Sequence, residues 1–460
     1  MAKKLFTVTD LGGGDGGKGG IVDKICDLKK AHTVIKVGGA QGSHGVRTSA
    51  GQGFNFSQFG CGTFRGSKTY VSELMVVAPH FLINEGLELK NRFAFSNIFE
   101  SISVDEGALC ITPFHTITSQ LRELDRKDKP KGTVGLGAGE AKRDSEKYPE
   151  LAIYAKDLGN DNLTDKLKAL KAQKLKDLAE ILDRSATFFP SDKFIAEELI
   201  ATLNDATLIK KTVEWFKALN SLVKITDRND LRNVLKKDGT VVVESSHGIL
   251  TDRYYGFSPH TSQLRTTPEA TLKLLDDCDY DGQIIKLGVS RAYQIRHGAG
   301  PMVTESPDWL EKILPDSSKS ANRYQGKVRI GPLDLVALRY AIKVCGGPQF
   351  FDGLAISWFD QIQAIGEWQL CHSYQGVDNS NFFENGEIKV CREGGLKQLD
   401  YQAQLTHKIF DCKPNVSSYN VLGKSQKELI DFSSEILQKE LQIPLSMISF
   451  GPTEADKICM

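Results

Sequence analysis

Residues 11–20 read Leu-Gly-Gly-Gly-Asp-Gly-Gly-Lys-Gly-Gly, and this stretch carries the strongest signal of the fold. Residues 5–9 before it are apolar and β-branched, which predicts a buried strand. Residues 21–28 after it carry apolar side chains at helical spacing. A strand, a glycine-rich turn and a helix in this order direct backbone N–H groups and a helix N-terminus toward an anion. The stretch therefore predicts a phosphate-binding loop of an α/β sheet, similar to a P-loop.

The two charged side chains in this loop suggest chemistry as well as binding. Seven glycines allow a ligand to approach the backbone closely, and Lys18 supplies a positive charge for phosphate. Asp15 would be repelled by phosphate unless it binds a metal or transfers protons. The spacing matches neither G-x-x-x-x-G-K followed by Ser or Thr nor a dinucleotide fingerprint, so the loop is a variant. A flexible turn with a solvated Lys–Asp pair is the alternative.

The composition describes a large chain with balanced charge. Its 460 residues suffice for one elaborated α/β domain or for two to three modules. Lys plus Arg and Asp plus Glu each number 58, so the net charge indicates neither nucleic acid nor an anionic membrane as a partner. The nine cysteines occur singly, as expected of reduced thiols in a cytoplasmic protein. The sequence shows no signal peptide and no apolar run of about 18 residues.

A second strand and a second glycine-rich loop follow the first pair. Residues 33–37 predict a strand, and residues 38–45 form a loop in which His44 lies among glycines and other small residues. Loops at the carboxyl ends of strands in an α/β sheet lie where ligands bind. We therefore expect His44 to act in catalysis or ligand binding. A solvent-facing loop histidine is the alternative.

The remainder of the chain continues the alternation of strands, loops and helices. A third glycine cluster occupies residues 132–139, and residues 140–235 are rich in Lys, Glu, Leu and Ala at helical spacing. Strands are predicted at residues 239–244 and 354–360. Residues 1–460 are therefore predicted to form one α/β domain. It would have a large, mostly parallel central sheet, flanking helices and a mainly helical elaboration at about 140–235.

These stretches together resemble the adenylosuccinate synthetase family. The family's opening loop W-G-D-E-G-K-G-K aligns with residues 13–20, and its second loop G-G-N-N-A-G-H-T aligns with residues 38–45. Its motif E-G-A-Q-G-T-x-L-D aligns with residues 244–252, and K-A-Y-x-x-R-V-G-A-G-P is nearly intact at residues 291–301. The matches run in order along nearly the whole chain, so the resemblance implies the fold of the family.

The resemblance also implies a two-step reaction, the GTP-dependent joining of L-aspartate to IMP to give adenylosuccinate. A carboxylate removes the N1 proton of IMP while O6 attacks the γ-phosphate of GTP, and the amine of aspartate then displaces phosphate from C6. The resemblance assigns the base to Asp15 and the stabilisation of the transferring phosphoryl group to His44. Mg²⁺ would be held by Asp15 and the backbone carbonyl of Ser43, while Lys18 and nearby N–H groups would hold phosphate.

Two further sets of ligand-binding residues are implied by the same resemblance. The nucleotide-binding set consists of Gly14, Gly16, Gly17, Lys18, Gly19, Gly20, Gln41, Gly42, Gly45, Thr133, Val134, His247, Ser262, Trp358, Asp360, Ser449 and Gly451. The amine-donor set consists of Asn322, Arg323, Gly326, Lys327 and Arg329. A homodimer is implied as well, because sites of the family take an arginine from a neighbouring subunit.

The chain departs from the family around the purine. The two amides that contact the purine become Gln41 and His247, and a nucleotide-binding threonine becomes Val134. The guanine-reading T-K-L-D motif keeps its aspartate as Asp360 and replaces its lysine with Trp358. The alternatives are that His247 satisfies backbone groups at a strand end, that Trp358 is a packing residue, and that Asp360 is a helix N-cap.

The chain also departs from the family at the amine donor and at the subunit boundary. The aspartate-binding loop T-T-G-R-x-R aligns with residues 324–328 and loses both arginines unless Arg323 and Arg329 replace them. The arginine that reaches the neighbouring subunit has no clean counterpart, because Arg143 is close but out of register. The phosphoryl-transfer residues are thus kept while the surrounding pockets differ.

Three functions are compatible with these residues. The first is a divergent ligase that joins aspartate to IMP with GTP. The second is a paralogue that activates GMP or dGMP at O6, or that uses ATP or another amine donor. Viral relatives that act on dGMP carry serine in place of the catalytic aspartate, and Asp15 does not match them. The third is a non-catalytic nucleotide sensor, against which Asp15 and His44 argue.

Overall fold

The computed structural model describes residues 2–127, 129–313 and 323–460. In chain order the strands are β1 Lys4–Asp10, β2 Thr33–Gly39, β3 His44–Arg47, β4 Gly53–Phe56, β5 Lys68–Val77, β6 Ile102–Asp105, β7 Leu109–Cys110, β8 Lys224–Thr226, β9 Thr240–Ser245, β10 Gln283–Arg291, β11 Gln294–Arg296, β12 Arg329–Gly331, β13 Leu333–Asp334, β14 Gly353–Ser357, β15 Glu367–Gln375, β16 Phe383–Glu384, β17 Glu387–Ile388, β18 Lys413–Asn420, β19 Leu445–Ser449 and β20 Lys457–Cys459. The α-helices are α1 Lys18–Lys29, α2 Pro79–Phe93, α3 Pro113–Asp125, α4 Ala138–Lys147, α5 Leu163–Arg184, α6 Pro190–Asn204, α7 Leu208–Leu222, α8 Arg228–Lys236, α9 Glu269–Asp277, α10 Pro307–Ile313, α11 Leu335–Val344, α12 Phe359–Ile365, α13 Gly395–Asp411 and α14 Gln426–Leu441. Within these described ranges, every helix is too short or too polar to span a membrane.

A large sheet organises the described chain. Eleven strands of the described chain form this sheet, in the order β20-β19-β14-β10-β1-β9-β2-β5-β6-β8, with β7 beside β5. The central strand β1 pairs in parallel with β10 and β9, so that Val8 lies between Leu287 and Glu244. The pair β19–β20 is antiparallel. The mostly parallel α/β sheet predicted from the sequence is therefore confirmed.

Both faces of this sheet are covered, which explains why its strands are apolar almost throughout. Phe6 of β1 belongs to a core that also contains Ile21 of α1. Leu5, on the opposite face, joins a smaller core with Leu231 of α8 and Leu274 of α9. Because parallel strands need crossover connections, the helices between them are placed to cover these faces.

The helices predicted at about 140–235 are α4 to α8, interrupted by the short strand β8. Helices α5 and α6 pack against α3, and α7 packs against α2. Leu167 and Leu170 of α5 belong to the same core as residues of the sheet. Lys174 of α5 is fully buried, and its ammonium lies 2.6 Å from the carboxylate of Asp144 in α4. The organisation into one domain stays a prediction.

The strand predicted at 354–360 ends earlier than expected. β14 stops at Ser357, Trp358 has a positive φ of 64°, and α12 begins at Phe359. The Phe359 ring packs edge-on against Trp368, with ring centroids 5.1 Å apart. Bulky aromatic residues favour strands on local preference alone, but tertiary packing such as this contact with β15 can override that preference.

Candidate active site

The glycine-rich loops meet at one edge of the large sheet. Strands β14, β10, β1, β9 and β2 are neighbours and run parallel, so the loops that follow them lie side by side. A cavity of about 460 Å³ opens at this edge. The predicted site residues that line it are Gly14, Asp15, Lys18, Gln41, Gly42, Ser43, His44, Thr133, Val134, His247 and Ser262.

Asp10, at the end of β1, shapes the first loop. Its buried carboxylate accepts hydrogen bonds from the N–H of Gly12 at 2.9 Å and of Gly16 at 2.8 Å. The Lys18 ammonium lies 2.7 Å from the same carboxylate and donates to the carbonyl of His247 at 2.9 Å. The lysine predicted to hold phosphate is therefore already paired with an acid, and it joins the first loop to the loop after β9.

Asp15 lies on the exposed part of the same loop. Its backbone is left-handed, with φ of 57°, and its side chain is 40% exposed. Its Oδ2 lies 2.7 Å from Nε2 of His297. Desolvation by burial raises the pKa of Asp15, but the hydrogen bond with His297 and the charges of Arg291, His297 and Lys18 outweigh it and hold the pKa below its usual range. Asp15 is therefore an ionised carboxylate at neutral pH.

His44 lines the cavity and belongs to a buried charged cluster. Its Nδ1 lies 2.6 Å from Oε1 of Glu244, which also accepts from the Lys36 ammonium at 2.6 Å. The other carboxylate oxygen of Glu244 accepts from the N–H of Cys61 at 2.8 Å. Desolvation lowers the pKa of His44 by more than Glu244 raises it. The free ring is therefore neutral, and Glu244 holds the proton on Nδ1.

Gln41 and His247 form a hydrogen-bonded pair at the cavity. Their Nε2 atoms are 3.2 Å apart, and His247 has a positive φ of 62°. Burial, with the nearby charge of Lys18, lowers the pKa of His247 to about 4, so its ring is neutral at pH 7. Because the amide nitrogen of Gln41 can only donate, Nε2 of His247 accepts and its proton lies on Nδ1.

This pairing leaves two polar atoms for a ligand. Nδ1 of His247 and Oε1 of Gln41 are buried and have no hydrogen-bond partner in the described chain. The first is a donor and the second an acceptor, and buried polar atoms are seldom left unpaired. A bound molecule with a matching edge would satisfy both.

The other predicted nucleotide-binding residues of the described chain do not line this cavity. They are Gly16, Gly17, Gly19, Gly20, Gly45, Trp358, Asp360, Ser449 and Gly451. Several of them surround the start of α1. Oγ of Ser357 donates to the carbonyl of Gly16 at 2.7 Å, and a Cβ on Gly17 would lie 2.5 Å from that Oγ. A Cβ on Gly20 would lie 2.8 Å from the Lys457 side chain, and β20 pairs Lys457 with Ser449.

Trp358, which precedes α12, and Asp360, in the first turn of α12, have different environments. The Trp358 ring lies under the Arg291 guanidinium, whose carbon is 4.3 Å from the ring centroid. Asp360 lies in the first turn of α12, where Trp358 holds the N-cap position, and its carboxylate accepts from the Gln361 side chain at 3.0 Å.

The predicted amine-donor arginines have other partners. The Arg323 guanidinium donates to the carbonyl of Ser191 at 2.6 Å and to the carboxylate of Asp192 at 3.2 Å. Arg329 donates to the carboxylate of Glu305 and to two backbone carbonyls. Gly326 and Lys327 are exposed, whereas the neighbouring Gln325 lines the cavity. Asn322 lies outside the described residues.

The cavity-lining residues that the sequence prediction missed include Lys131, Arg296 and His297. A signal existed for His297, because it replaces the valine in the family's R-V-G-A-G-P motif. Lys131 precedes the third glycine cluster, and no sequence pattern marks it. Arg296 is the arginine of the same motif, but its burial and its place in the cavity depend on tertiary contacts.

Two groups of residues in the described chain have the chemistry of metal ligands. His44, Cys61 and Glu244 bring their ligand atoms within 4.8 Å of one another, but the Lys36 ammonium already neutralises Glu244. That cluster therefore does not fit a metal ion. Asp15 and Ser43 line the open cavity and offer a carboxylate and a carbonyl oxygen, which fit Mg²⁺ when phosphate oxygens complete the coordination.

Solved structures share this architecture over the whole chain. The chain is similar to the fully ligated adenylosuccinate synthetase of Plasmodium falciparum, with a TM-score of 0.76, 18% identity and coverage of 99% of each chain. It is also similar to the cyanophage S-2L succinoaminodeoxyadenylate synthetase bound to dGMP and dATP. That match has a TM-score of 0.58 and 14% identity, and covers 100% of this chain and 96% of the other. These likenesses confirm the predicted fold.

Sequence comparison agrees with the structural likeness. The adenylosuccinate synthetase from Caldicellulosiruptor bescii is 24% identical over 451 residues, which cover 97% of this chain and 96% of the relative. The enzyme of that name from Tolumonas auensis is 26% identical over 445 residues, covering 95% and 94%. The family model described as adenylosuccinate synthetase matches residues 8–458. Since that model spans nearly the whole length, this chain belongs to the adenylosuccinate synthetase family of carbon–nitrogen ligases.

Proposed function

We propose that this protein condenses L-aspartate with the 6-oxo position of IMP, using GTP and passing through a 6-phosphoryl intermediate, to give adenylosuccinate. The observation that carries the proposal is the placement of Asp15 and His44 in one cavity beside the glycine-rich loop. A carboxylate base and a histidine next to a phosphate site are what activation of a 6-oxopurine at O6 requires. We further expect a homodimer in the cytoplasm.

Asp15 has the ionisation state that these steps need in the free protein, and His44 would reach its required state when phosphate binds. Asp15 is ionised at neutral pH and can accept the N1 proton. A hydrogen bond from Nε2 of His44 to a phosphoryl oxygen requires protons on both ring nitrogens. The negative charges of Glu244 and of the bound phosphate both favour that form. Phosphate binding would therefore convert His44 from a neutral ring into a charged donor.

Asp15 and the carbonyl of Ser43 would hold Mg²⁺. Bound there, Mg²⁺ neutralises the charge that develops on the transferring phosphoryl group. The backbone N–H groups of the first loop would contact the γ-phosphate, and Lys18 adds positive charge from beneath the loop. Its ion pair with Asp10 keeps the ammonium in place, so that little reorganisation is needed when the nucleotide binds.

The test is phosphate release by the purified protein with Mg²⁺, aspartate and either GTP or ATP. IMP, GMP and dGMP are supplied in turn as acceptors, and the product mass is determined. Release with IMP and GTP, together with an aspartyl adduct of IMP, is the expected result. Binding of nucleotide without turnover in any combination would contradict the proposal and favour a nucleotide sensor.

A second acceptor is favoured by one feature of the cavity. The unpartnered Oε1 of Gln41 is an acceptor beside His247. We expect both side chains to contact the purine, and the exocyclic 2-amino group of GMP or dGMP would supply a donor for Oε1. The cyanophage relative was solved with dGMP and dATP. An adduct formed with GMP or dGMP, and not with IMP, would identify this protein as a paralogue with that acceptor.

A further inference from the structure

One wall of the cavity carries an excess of positive charge. Its cationic residues are Arg126, Lys131, Arg143 and Arg296. Arg126 forms an ion pair with Glu123, and Arg143 lies 2.6 Å from the carboxylate of Glu140. These two acids are the ones whose charges act on Lys131, and each already has an arginine partner. Among the residues that the structure describes, neither Lys131 nor Arg296 forms an ion pair with a carboxylate.

Lys131 forms no ion pair with any residue that the structure describes. Burial and the neighbouring charges of Arg143 and Arg126 lower its pKa to about 8. A lysine held among arginines is destabilised in its charged form until an anion binds. Its surroundings thus resemble those of a ligand-binding lysine more than those of a solvated one.

Arg296 also lacks a carboxylate partner in the described chain, and it is more deeply buried than Lys131. Its side chain is 5% exposed, and Nη2 donates to the carbonyl of His260 at 3.0 Å. Its Nε is buried without a partner in the described chain. Burial, reinforced by the charge of Arg329, lowers the pKa of Arg296 to about 9. A buried guanidinium without a counterion is costly, and a bound anion would remove that cost.

The two cations belong to segments that touch each other. A Cβ on Gly132 would lie 2.7 Å from the Cα of Gly298, so the backbone after Lys131 adjoins the backbone after Arg296. His260, which also lines the cavity, accepts through its carbonyl from the Arg296 guanidinium. The same region receives the N-terminus of α4, whose N-cap Gly137 has no side-chain cap. An uncapped helix N-terminus also favours an anion.

We propose that Lys131 and Arg296 together bind a doubly charged oxyanion of a substrate within a single chain. Two sources offer this chemistry, the 5′-phosphate of the acceptor nucleotide and the paired carboxylates of the amine donor. Arg323 and Arg329, which were predicted to bind the amine donor, form ion pairs with Asp192 and Glu305. Lys131 and Arg296 would supply positive charge to the substrate in their place. The identity of the substrate rests on the proposed function, whereas the binding of a dianion does not.

The first experiment measures the binding of dianions to the full chain. Inorganic phosphate and succinate are titrated while thermal unfolding is followed, for the wild type, for Lys131→Met and for Lys129→Met. Lys129 is exposed on the same loop and serves as the matched control. We expect Lys131→Met to weaken binding of at least one dianion by roughly ten- to a hundredfold, with Lys129→Met and Lys131→Arg close to wild type. The Tm without ligand checks that each variant is folded.

The second experiment identifies the source of the anion. If the 5′-phosphate binds here, Lys131→Met raises the KM for the nucleotide and leaves the KM for aspartate unchanged. If the amine donor binds here, the reverse holds. Equal dianion binding by Lys131→Met and wild type would overturn the proposal, with or without turnover. A protein that binds dianions through Lys131 but forms no aspartyl adduct would refute the proposed function alone.

Discussion

At the scale of single residues, the candidate site is defined by how each ionisable group is paired in the free protein. Asp15 is held by His297, His44 by Glu244, and Lys18 by Asp10. Each pairing fixes the orientation of a side chain before a substrate arrives. This preorganisation reduces the rearrangement that phosphoryl transfer requires.

Asp15→Ala and His44→Ala are each expected to remove phosphoryl transfer. Loss of a general base or of a phosphoryl-stabilising group lowers kcat by about 10²- to 10⁴-fold. Phosphate release under saturating substrates measures the effect, and the exposed Asp161→Asn is the control. The Tm of both variants is expected to stay near that of the wild type. An Asp15→Ala protein with wild-type turnover would refute the assigned base.

Glu244→Gln is expected to reduce both stability and activity. The change leaves the fully buried Lys36 ammonium without its counterion, which costs about 3–5 kcal/mol of unfolding free energy. The double variant Lys36→Met with Glu244→Gln removes that charge and is expected to recover stability but not activity, because His44 still lacks its carboxylate. Urea unfolding and phosphate release together test this. Equal stability of the single and double variants would argue against the buried pair.

At the scale of elements, the loops after β1 and β9 are in backbone contact. A Cβ on Gly248 would lie 2.2 Å from the carbonyl oxygen of Gly12 and 2.6 Å from the nitrogen of Gly14. The Lys18 ammonium bridges the same two loops by bonding the carbonyl of His247. Glycine at 248 therefore permits the approach of two loops that both line the cavity.

Gly248→Ala is expected to force these loops apart and to lower kcat/KM by about 10²-fold, since displacements near 1 Å have effects of that size. Gly107→Ala is the control, because its Cβ would meet only side-chain atoms of Asp105 and Glu73 at 3.2 Å or more. Steady-state kinetics on both variants measure the difference. Wild-type kinetics for Gly248→Ala would show that the loop contact does not matter for catalysis.

A pH-dependent stability is expected where α2 meets residues 57–59. Glu85 of α2 accepts backbone N–H bonds from this segment, yet desolvation raises its pKa from 4.5 to about 7. The folded chain therefore binds the proton more tightly than the unfolded chain. This contribution to stability is complete below pH 4.5 and is lost as the pH rises through about 7.

Urea unfolding of the wild type and Glu85→Gln across pH 5–8 measures this effect. The wild type is expected to lose up to about 3 kcal/mol relative to the variant over that range. Parallel pH profiles for the two proteins would contradict the assignment to Glu85.

At the scale of the whole molecule, the helices of the elaboration support one wall of the cavity. The N-terminal turn of α4 lines the cavity through Gly139, Glu140 and Arg143. The buried Lys174 of α5 and Nε2 of His115 in α3 both lie close to the carboxylate of Asp144 in α4. The position of this wall therefore depends on the packing of α3, α4 and α5 against one another.

The homodimer is tested at this scale. Light scattering of the nucleotide-bound protein at working concentration is expected to report twice the mass of one chain. Arg143, the nearest candidate for an inter-subunit arginine, is paired with Glu140 in its own chain. A monomeric mass would show that this protein does not form the homodimer that its family implies. It would also favour an active site formed within one chain.

The sequence alone was enough to place the elements and the residues of the first loops. Hydrophobic periodicity and glycine clusters are local signals, so β1, α1, β2 and β9 fall where the pattern predicts them. The same signals placed Asp15 and His44 in the loops after β1 and β2, and both loops lie at one edge because the strands of the sheet run parallel.

The partners of those residues were decided by the tertiary structure alone. The partners lie more than a hundred residues apart in the chain: His297 is beside Asp15, Glu244 is beside His44, and Arg296 is near Lys131. Charge pairing and burial depend on which segments fold against each other, and no local pattern contains that information. For the same reason, only the fold could show that Arg323 and Arg329 pair with Asp192 and Glu305, while Lys131 and Arg296 form no ion pair in the described chain.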